Sequence, residues 1–66
     1  MRRHKSVTVA RIIATIEENE SNCMNIGICV ACGEDQDGCE PDARRYECES
    51  CGQPAVYGAE ELLMMV

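Results

Sequence analysis

Two copies of the pattern Cys-x-x-Cys-Gly, CVACG and CESCG, dominate the middle of the sequence. Each copy turns the backbone so that both sulfurs face one centre, and the glycine permits the left-handed geometry that ends such a turn. Two turns present four sulfurs tetrahedrally, which suits Zn²⁺ with Zn–S bonds of about 2.3 Å. The spacing C-x2-C-x15-C-x2-C is typical of structural zinc sites. We therefore predict one zinc ion per chain, bound by Cys29, Cys32, Cys48 and Cys51.

A closed four-thiolate site leaves no position for an activated water, so the pattern predicts a structural role for the metal. A chain of 66 residues buries only about 60% of its unfolded surface, and its apolar core is therefore marginal. Zinc binding in small domains contributes about 10–16 kcal/mol, as much as the stability of a whole domain. We predict that folding depends on the metal. No nucleophile–base pair or phosphate loop is apparent, and we do not expect an enzyme.

The same cysteines allow two other interpretations. A thioredoxin-like Cys-x-x-Cys needs a βαβ scaffold, for which this chain is too short. Rubredoxins also use paired Cys-x-x-Cys-Gly turns to bind iron, but with a much longer insert and an aromatic core, whereas this chain has no Phe and no Trp. A rubredoxin-like electron carrier is kept as the second alternative function.

Two further cysteines, Cys23 and Cys39, lie outside the paired turns. Cys39 stands between Gly38 and Glu40 in the segment that joins the turns; it could compete as a ligand, although this would break their symmetry. We predict a spare loop thiol at Cys39 and a buried or idle thiol at Cys23. His4 is not predicted to be a ligand.

The net charge of −6 conceals an asymmetry. Residues 1–16 contain four basic and no acidic side chains, whereas residues 17–66 contain two arginines and twelve acids. Charges of +4 and −10 disfavour broad nucleic-acid binding, because the acidic body repels phosphates. A protein partner with a basic surface fits this distribution better. Weak phosphate contacts are predicted only from Arg2, Arg3, Lys5, Arg44 and Arg45.

Arg44 and Arg45 form the only basic pair in the acidic body. The pattern favours a solvated strand face on which these arginines pair with Glu47 or Glu49. A nucleic-acid or transcription-complex binder that uses this pair and the basic N-terminal residues is the first alternative function.

The N-terminal residues and the hydropathy of the chain bear on its cellular compartment. Its basic residues precede an apolar stretch that Arg11 interrupts and that runs into acids, so we expect no secretory signal. No apolar run approaches the roughly 20 residues of a membrane span. We expect the cytoplasm of a bacterial host cell, where disulfides are rare.

The first structured segment follows a tail over residues 1–5 that we predict to be basic and disordered. A helix is predicted over 6–20, with Ser6 or Thr8 as its N-cap, because apolar residues recur on one helical face. A strand is the alternative, since β-branched residues are frequent here and the charges oppose the helix dipole. The apolar face comprises Val9, Ile12, Ile13 and Ile16.

The remaining elements predict a small metal-stabilised α+β fold, a zinc ribbon of short antiparallel strands between an N-terminal and a short C-terminal helix. The ribbon covers residues 26–57 within a single domain, 6–66. A continuing strand is the alternative for the C-terminal segment. The predicted elements are a loop at 21–25, a strand at 26–30, a loop at 33–42, strands at 44–47 and 55–57, and a helix within 58–66.

The apolar residues of the two terminal segments need a cover that a thin sheet supplies only in part. We predict that these segments meet, either within one chain or across a homodimer. The residues concerned are Ile12, Ile13, Ile16, Leu62, Leu63 and Met65.

Three stretches, GICVACGE, EPDARRYECESCG and VYGAEELL, together resemble a group of small zinc-ribbon proteins predicted from tailed-phage and prophage genomes. The resemblance covers roughly residues 6–63. The sequence departs from that group at Ile28, where an aromatic residue is common, and at Cys39, an extra thiol. The resemblance implies the fold and a phage or prophage source, but no function.

A weaker similarity to the DksA/TraR polymerase-binding proteins, which carry a four-cysteine finger, motivates the transcription alternative. Here the spacer is shorter and the first helix cannot form their long coiled coil. The leading interpretation is a non-enzymatic zinc-binding accessory protein that acts through protein–protein interaction.

Overall fold

A computed structural model of the chain describes residues 3–66. These residues form a four-stranded antiparallel sheet and two helices, with strand order β2-β1-β4-β3. In chain order the elements are α1 (Val9–Asn22), β1 (Ile26–Cys29), β2 (Asp35–Asp37), β3 (Tyr46–Glu47), β4 (Pro54–Gly58) and α2 (Ala59–Met65). The predicted small α+β fold, with antiparallel strands and a helix at each end, is confirmed.

The N-terminal helix predicted over 6–20 occupies Val9–Asn22 in the structure. It begins after Thr8, whose side-chain oxygen accepts a hydrogen bond from the amide of Arg11 at 3.1 Å and so satisfies a free N–H of the first turn. It ends at Cys23, whose left-handed backbone, with φ of 53°, breaks the helical repeat. Helix rather than strand is therefore confirmed, and both ends lie further along the chain than predicted.

Tertiary contacts hold α1 on the sheet. The first turn of α1 has no acidic residue and its last turn has no basic residue, so side-chain charges at the helix ends do not stabilise the helix dipole. Ile12 is completely buried in one cluster with Ile28 of β1. The Asn19 side chain accepts a hydrogen bond from the amide of Ile26 at 3.0 Å and donates one to its carbonyl at 3.2 Å. Packing therefore stabilises a helix whose charges oppose its dipole.

Strand β2 lies inside the segment 33–42, which the sequence predicts as a loop. That prediction is wrong at Asp35–Asp37, where the backbone pairs with β1 and Gln36 lies opposite Gly27. Asp has a low strand propensity. However, β2 is an edge strand and both aspartates are exposed. Backbone pairing with a buried neighbour decides this strand, not its side-chain pattern.

Strand β3 is shorter than predicted, Tyr46–Glu47 instead of 44–47. The preceding Arg45 has φ of 56°, which an extended strand cannot accommodate. The other two strands differ from their predicted bounds, 26–30 and 55–57, by one residue at one or both ends.

The sheet separates two buried clusters, because successive residues of a strand point to opposite faces. Ile28 lies opposite Tyr57 across β1 and β4 and belongs to the helix side, whereas the next pair, Cys29 and Val56, belongs to the other side. The helix-side cluster comprises Val7, Ile12, Ile28, Val30 and Leu62. The other cluster lies beside the two Cys-x-x-Cys-Gly turns, which we call the knuckles. This knuckle-side cluster comprises Cys29, Cys39, Ala43, Cys48 and Val56.

The two terminal segments meet within one chain, as predicted. Ile12 of α1 and Leu62 of α2 are both completely buried in the helix-side cluster, and Ile16 packs against it. Ile13 and Leu63, by contrast, keep 42% and 40% of their surface exposed. The contact between the two terminal segments therefore covers only some of their apolar residues.

The turn at 40–43 positions the start of α2. The amide of Gly58 donates to the carbonyl of Ala43, and the amide of Glu61 donates to that of Pro41, both at 3.0 Å. A Cβ on Gly58 would lie 2.2 Å from the Glu40 carbonyl oxygen, so only glycine permits this approach. The EPDA and VYGAEELL stretches are thus in direct contact, and the C-terminal segment is a helix as predicted.

The described part of the predicted disordered tail contacts the domain. The amide of His4 donates to the Val30 carbonyl at 2.6 Å, and the Arg3 Nε donates to the Val7 carbonyl at 2.7 Å. The structure therefore differs from the prediction at residues 3–5, while Met1 and Arg2 lie outside the described residues. No described helix is long and apolar enough to cross a membrane.

Candidate metal centre

The four predicted ligands converge on one point. The sulfurs of Cys29, Cys32, Cys48 and Cys51 all lie within 4.8 Å of one another. The Cys29–Cys51 and Cys32–Cys48 sulfur pairs are each 3.7 Å apart. A tetrahedron with metal–sulfur bonds of about 2.3 Å has edges of about 3.8 Å. The cluster therefore has the size that one tetrahedrally coordinated metal ion requires.

Both knuckles have the same backbone. In the first, the amide of Gly33 donates to the carbonyl of Cys29 at 2.8 Å; in the second, Gly52 donates to Cys48 at the same distance. The two glycines have φ of 84° and 78°, the left-handed geometry predicted from the pattern. In each knuckle the amide of the first cysteine also donates a hydrogen bond to the carbonyl of the residue five positions later, at 2.9 Å in both cases. Five-residue sequence repeats thus produce two equivalent half-sites.

Strand β4 brings the two half-sites together. It pairs with β1 on one side and β3 on the other, and Val56 lies opposite both Cys29 and Tyr46. Cys29 ends β1 and Cys48 directly follows β3, so both knuckles emerge at the same level of the sheet. The register of three strands therefore sets the distance between sulfurs that are far apart in sequence.

The side chain of Gln36 links the two edges of the sheet next to the centre. It donates to the carbonyl of Glu47 at 3.1 Å and accepts from the amide of Glu49 at 2.9 Å. Gln36 lies on edge strand β2, whereas Glu47 ends edge strand β3. The sequence does not indicate that Gln36 lies next to the cysteine cluster, because it predicts the whole segment to be an acidic loop.

Neighbouring amides and thiols give two of the four cysteines, Cys32 and Cys48, very different pKa values. The amides of Cys51 and Ser50 both lie 3.4 Å from the Cys48 sulfur, and they lower the pKa of Cys48 to about 7. The Glu34 amide lowers the pKa of Cys32, but burial and the other three sulfurs outweigh it and raise that pKa to about 12. Four thiolates at these distances repel one another. A bound cation would remove this obstacle, because its charge favours every thiolate.

The centre lies partly at the surface. Cys29 and Cys48 are buried, Cys32 is half-buried and Cys51 is exposed. Four sulfur donors in this arrangement occupy every position of a tetrahedral ion. The site can hold a metal and connect the two knuckles, and it offers no open position for a substrate.

The two remaining cysteines lie outside the cluster of four. Cys39 lies in the loop after β2 and outside the cluster of four, as predicted for a spare loop thiol, and it is buried in the knuckle-side cluster with 1% exposure. A Cβ on Gly27 would lie 2.9 Å from the Cys39 Cβ, so the glycine makes room for this side chain. Burial raises the pKa of Cys39. Cys23 is exposed at the end of α1.

The predicted phosphate-contacting residues do not form one surface among the described residues. Arg3 and Lys5 line a crevice beside the start of α1. Arg44 and Arg45 line a different crevice, together with Tyr57 and Glu61 of the C-terminal part. His4 Nδ1 lies 2.8 Å from the Ser6 hydroxyl and is not in the cluster of four. Arg2 lies outside the described residues.

The predicted pairing of Arg44 with Glu47 or Glu49 is wrong. Its Nε donates to the Glu61 carboxylate at 2.9 Å, and the Glu61 side chain is only 9% exposed. The left-handed backbone of Arg45 turns the chain before β3, and the turn at 40–43 holds this segment beside α2. Arg44 therefore neutralises a nearly buried carboxylate on the C-terminal helix.

Comparison of the chain with protein-family models, with curated proteins and with solved structures found no match. The fold and the site are consistent with a zinc-ribbon-like domain, in which two Cys-x-x-Cys-Gly knuckles on a small antiparallel sheet form one tetra-cysteine centre. The class of protein is therefore a small α+β domain with a cluster fit for one metal ion.

Proposed function

We propose that the metal is zinc and that its role is structural. Four thiolates in a closed tetrahedral cluster suit Zn²⁺. The ion connects the chain segments before β2 and after β3, which lie on opposite edges of the sheet. It also completes the knuckle-side cluster, in which two of the five buried residues are ligands. The competing hypothesis, a rubredoxin-like electron carrier, requires that the same four cysteines bind iron.

We further propose that the protein is a non-enzymatic accessory protein that binds a partner with a basic surface. The observation that supports this is a crevice of about 300 Å³ beside the second knuckle. Four carboxylates and no basic side chain line it, and within residues 3–66 only Asp35 of the four is paired, with Arg11 at 2.6 Å. Opposite charge would steer a basic partner to this crevice and select against acidic ones. Its lining residues are Glu34, Asp35, Gln36, Asp37, Cys48, Glu49 and Ser50.

The proposed setting is the cytoplasm of a bacterial cell, with the gene carried by a phage or prophage. The support is the resemblance of GICVACGE, EPDARRYECESCG and VYGAEELL to the phage zinc-ribbon group. The direct contact between the turn at 40–43 and Gly58 adds a physical reason for the last two stretches to occur together.

The experiment is affinity capture from the bacterial host with the zinc-loaded chain as bait. The matched bait carries Glu34→Gln, Asp37→Asn and Glu49→Gln, which remove three carboxylates of the crevice without removing a ligand. We expect a protein with a basic surface to bind the first bait and to be lost from the second. Equal capture by both baits would contradict the role of the crevice.

Nucleic-acid binding is the second candidate, and one observation favours it. Arg44, Arg45 and Tyr57 line a crevice of about 590 Å³, where arginine and an aromatic ring could contact phosphate and base. Fluorescence anisotropy with labelled duplex and single strands across a salt series tests it. Binding at physiological salt that is abolished by Arg45→Ala would support this candidate instead, since Arg45 has no part in the acidic crevice.

A further inference from the structure

The exposed large apolar side chains of the described chain are concentrated on its helices. Of the eight, five lie on the helices and Val66 directly follows α2, whereas Met24 and Tyr46 lie elsewhere. Exposed apolar patches of small proteins are typical of interaction sites. The helical group comprises Val9 and Ile13 on α1, Leu63, Met64 and Met65 on α2, and Val66 directly after α2.

The exposed surface formed by residues 3–5 and one side of α1 runs from basic through apolar to acidic. Residues four apart share one side of a helix, so Val9, Ile13 and Glu17 form a continuous stripe. Val9 also lines a crevice of about 300 Å³ with Arg3 and Lys5. In chain order the exposed residues of this surface are Arg3, Lys5, Val9, Ile13, Glu17 and Glu20.

This order of charges is unfavourable for an isolated helix. Glu20 in the last turn opposes the helix dipole, and the first turn has no acidic residue that would compensate. Two such helices side by side and antiparallel place the basic start of each beside the acidic end of the other. A partner surface of a single sign would match only one end of the stripe. A second copy, turned through a two-fold axis, matches both ends at once.

We infer that the chain forms a two-fold homodimer in which α1 packs antiparallel against α1 of a second copy. Ile13 lies near the axis, and Lys5 faces Glu20 of the second copy. A specific interface buries at least about 1,000 Å² in total, which is about 500 Å² or more of the 4194 Å² of each chain. The helix α1, which is about 21 Å long, would form the centre of this interface. The acidic crevice lies beside the second knuckle and is a separate surface.

Sedimentation of the zinc-loaded full chain over a wide concentration range tests the inference. We expect twice the chain mass of 7.3 kDa at high concentration. Ile13→Glu places a like charge on both copies at the axis and should leave a monomer throughout. Met24→Glu is the matched control, because Met24 is exposed to a similar degree but lies outside the helices. A wild-type chain that stays monomeric, or an Ile13→Glu dimer, would overturn the inference.

A charge-reversal series provides a second test that does not depend on Ile13. Lys5→Glu and Glu20→Lys alone each create two repulsions per dimer, and we expect each to weaken association about fivefold or more. The double variant reverses both ends of the stripe and should restore the wild-type dissociation constant. Native mass spectrometry should show unchanged zinc content in all variants. A double variant that associates no more tightly than the singles would overturn the pairing.

Discussion

Ile12 of α1 and Leu62 of α2 are completely buried in one hydrophobic cluster, although they come from opposite ends of the chain. Ile28 of the central strand β1 belongs to the same cluster. The helices therefore depend on each other as well as on the sheet. This relationship explains how a helix with charges opposed to its dipole persists in so small a domain.

Leu62→Ala should destabilise the zinc-loaded protein by about 2–5 kcal/mol, because it leaves a cavity between both helices and the sheet. The matched control is the adjacent Leu63→Ala, whose wild-type side chain is 40% exposed. We expect less than about 1 kcal/mol for the control. Denaturant unfolding under excess zinc measures both. Similar losses for the two variants would contradict the packing of α2.

Cys48→Ser should abolish stoichiometric zinc binding, because the remaining three thiolates leave the tetrahedral site open. Cys23→Ser is the control, since Cys23 is an exposed thiol outside the cluster. Native mass spectrometry should give one zinc per chain for the wild type and the control. Full zinc occupancy in Cys48→Ser would refute the ligand assignment. Iron in the wild type, purified from the native host, would favour the electron-carrier alternative.

Chelation of the metal should unfold the domain. In our proposal the ion and a short sheet together hold the two half-sites, and the core of a chain this small is marginal without the metal. The amide NMR spectrum should lose its dispersion on addition of chelator and regain it with zinc. A dispersed spectrum in excess chelator would show that the two apolar clusters suffice.

Gly58→Ala should cost about 3 kcal/mol or more, because its Cβ would lie 2.2 Å and 2.3 Å from backbone oxygens of Glu40 and Pro41. Gly38→Ala separates this steric effect from backbone strain. Gly38 has φ of 80° but open space around it, so we expect about 1 kcal/mol. Thermal unfolding of both variants should rank them in this order. The reverse ranking would show that the turn at 40–43 does not pack closely on α2.

The hydrogen bond from Tyr46 to Glu40 should be visible in titrations. It raises the pKa of Tyr46 above its usual value of 10 and lowers the pKa of Glu40 below its usual value of 4.5. The contribution of Tyr46 to stability is therefore complete below pH 10 and is lost as the pH rises through its raised pKa. The contribution of Glu40 is complete above pH 4.5 and is lost as the pH falls through its lowered pKa.

Glu40→Gln tests this bond, because it should bring the pKa of Tyr46 back towards 10. Tyrosinate absorbance measures it, with Tyr57→Phe as the background so that Tyr46 is the only tyrosine. An unchanged Tyr46 titration in Glu40→Gln would show that the bond is absent in solution.

The sequence by itself determined which four cysteines cluster and that both terminal segments are helical. The conformation of a Cys-x-x-Cys-Gly turn depends on five adjacent residues, so the pattern predicts it without knowledge of the rest of the fold. The glycines that end both turns have the left-handed backbone expected of them. The apolar periodicity of α1 and the acidic first turn of α2 are likewise local patterns, each contained in a single helix, so the sequence predicts both helices.

Only the tertiary structure decided the features that depend on a distant neighbour. Asp35–Asp37 became a strand because β1 lies beside it, and Cys39 became buried because Gly27 leaves room for its side chain. Arg44 pairs with Glu61 and not with the nearby glutamates, because the turn at 40–43 holds it beside α2. In each case the deciding atom belongs to a residue remote in sequence, and no local pattern contains that information.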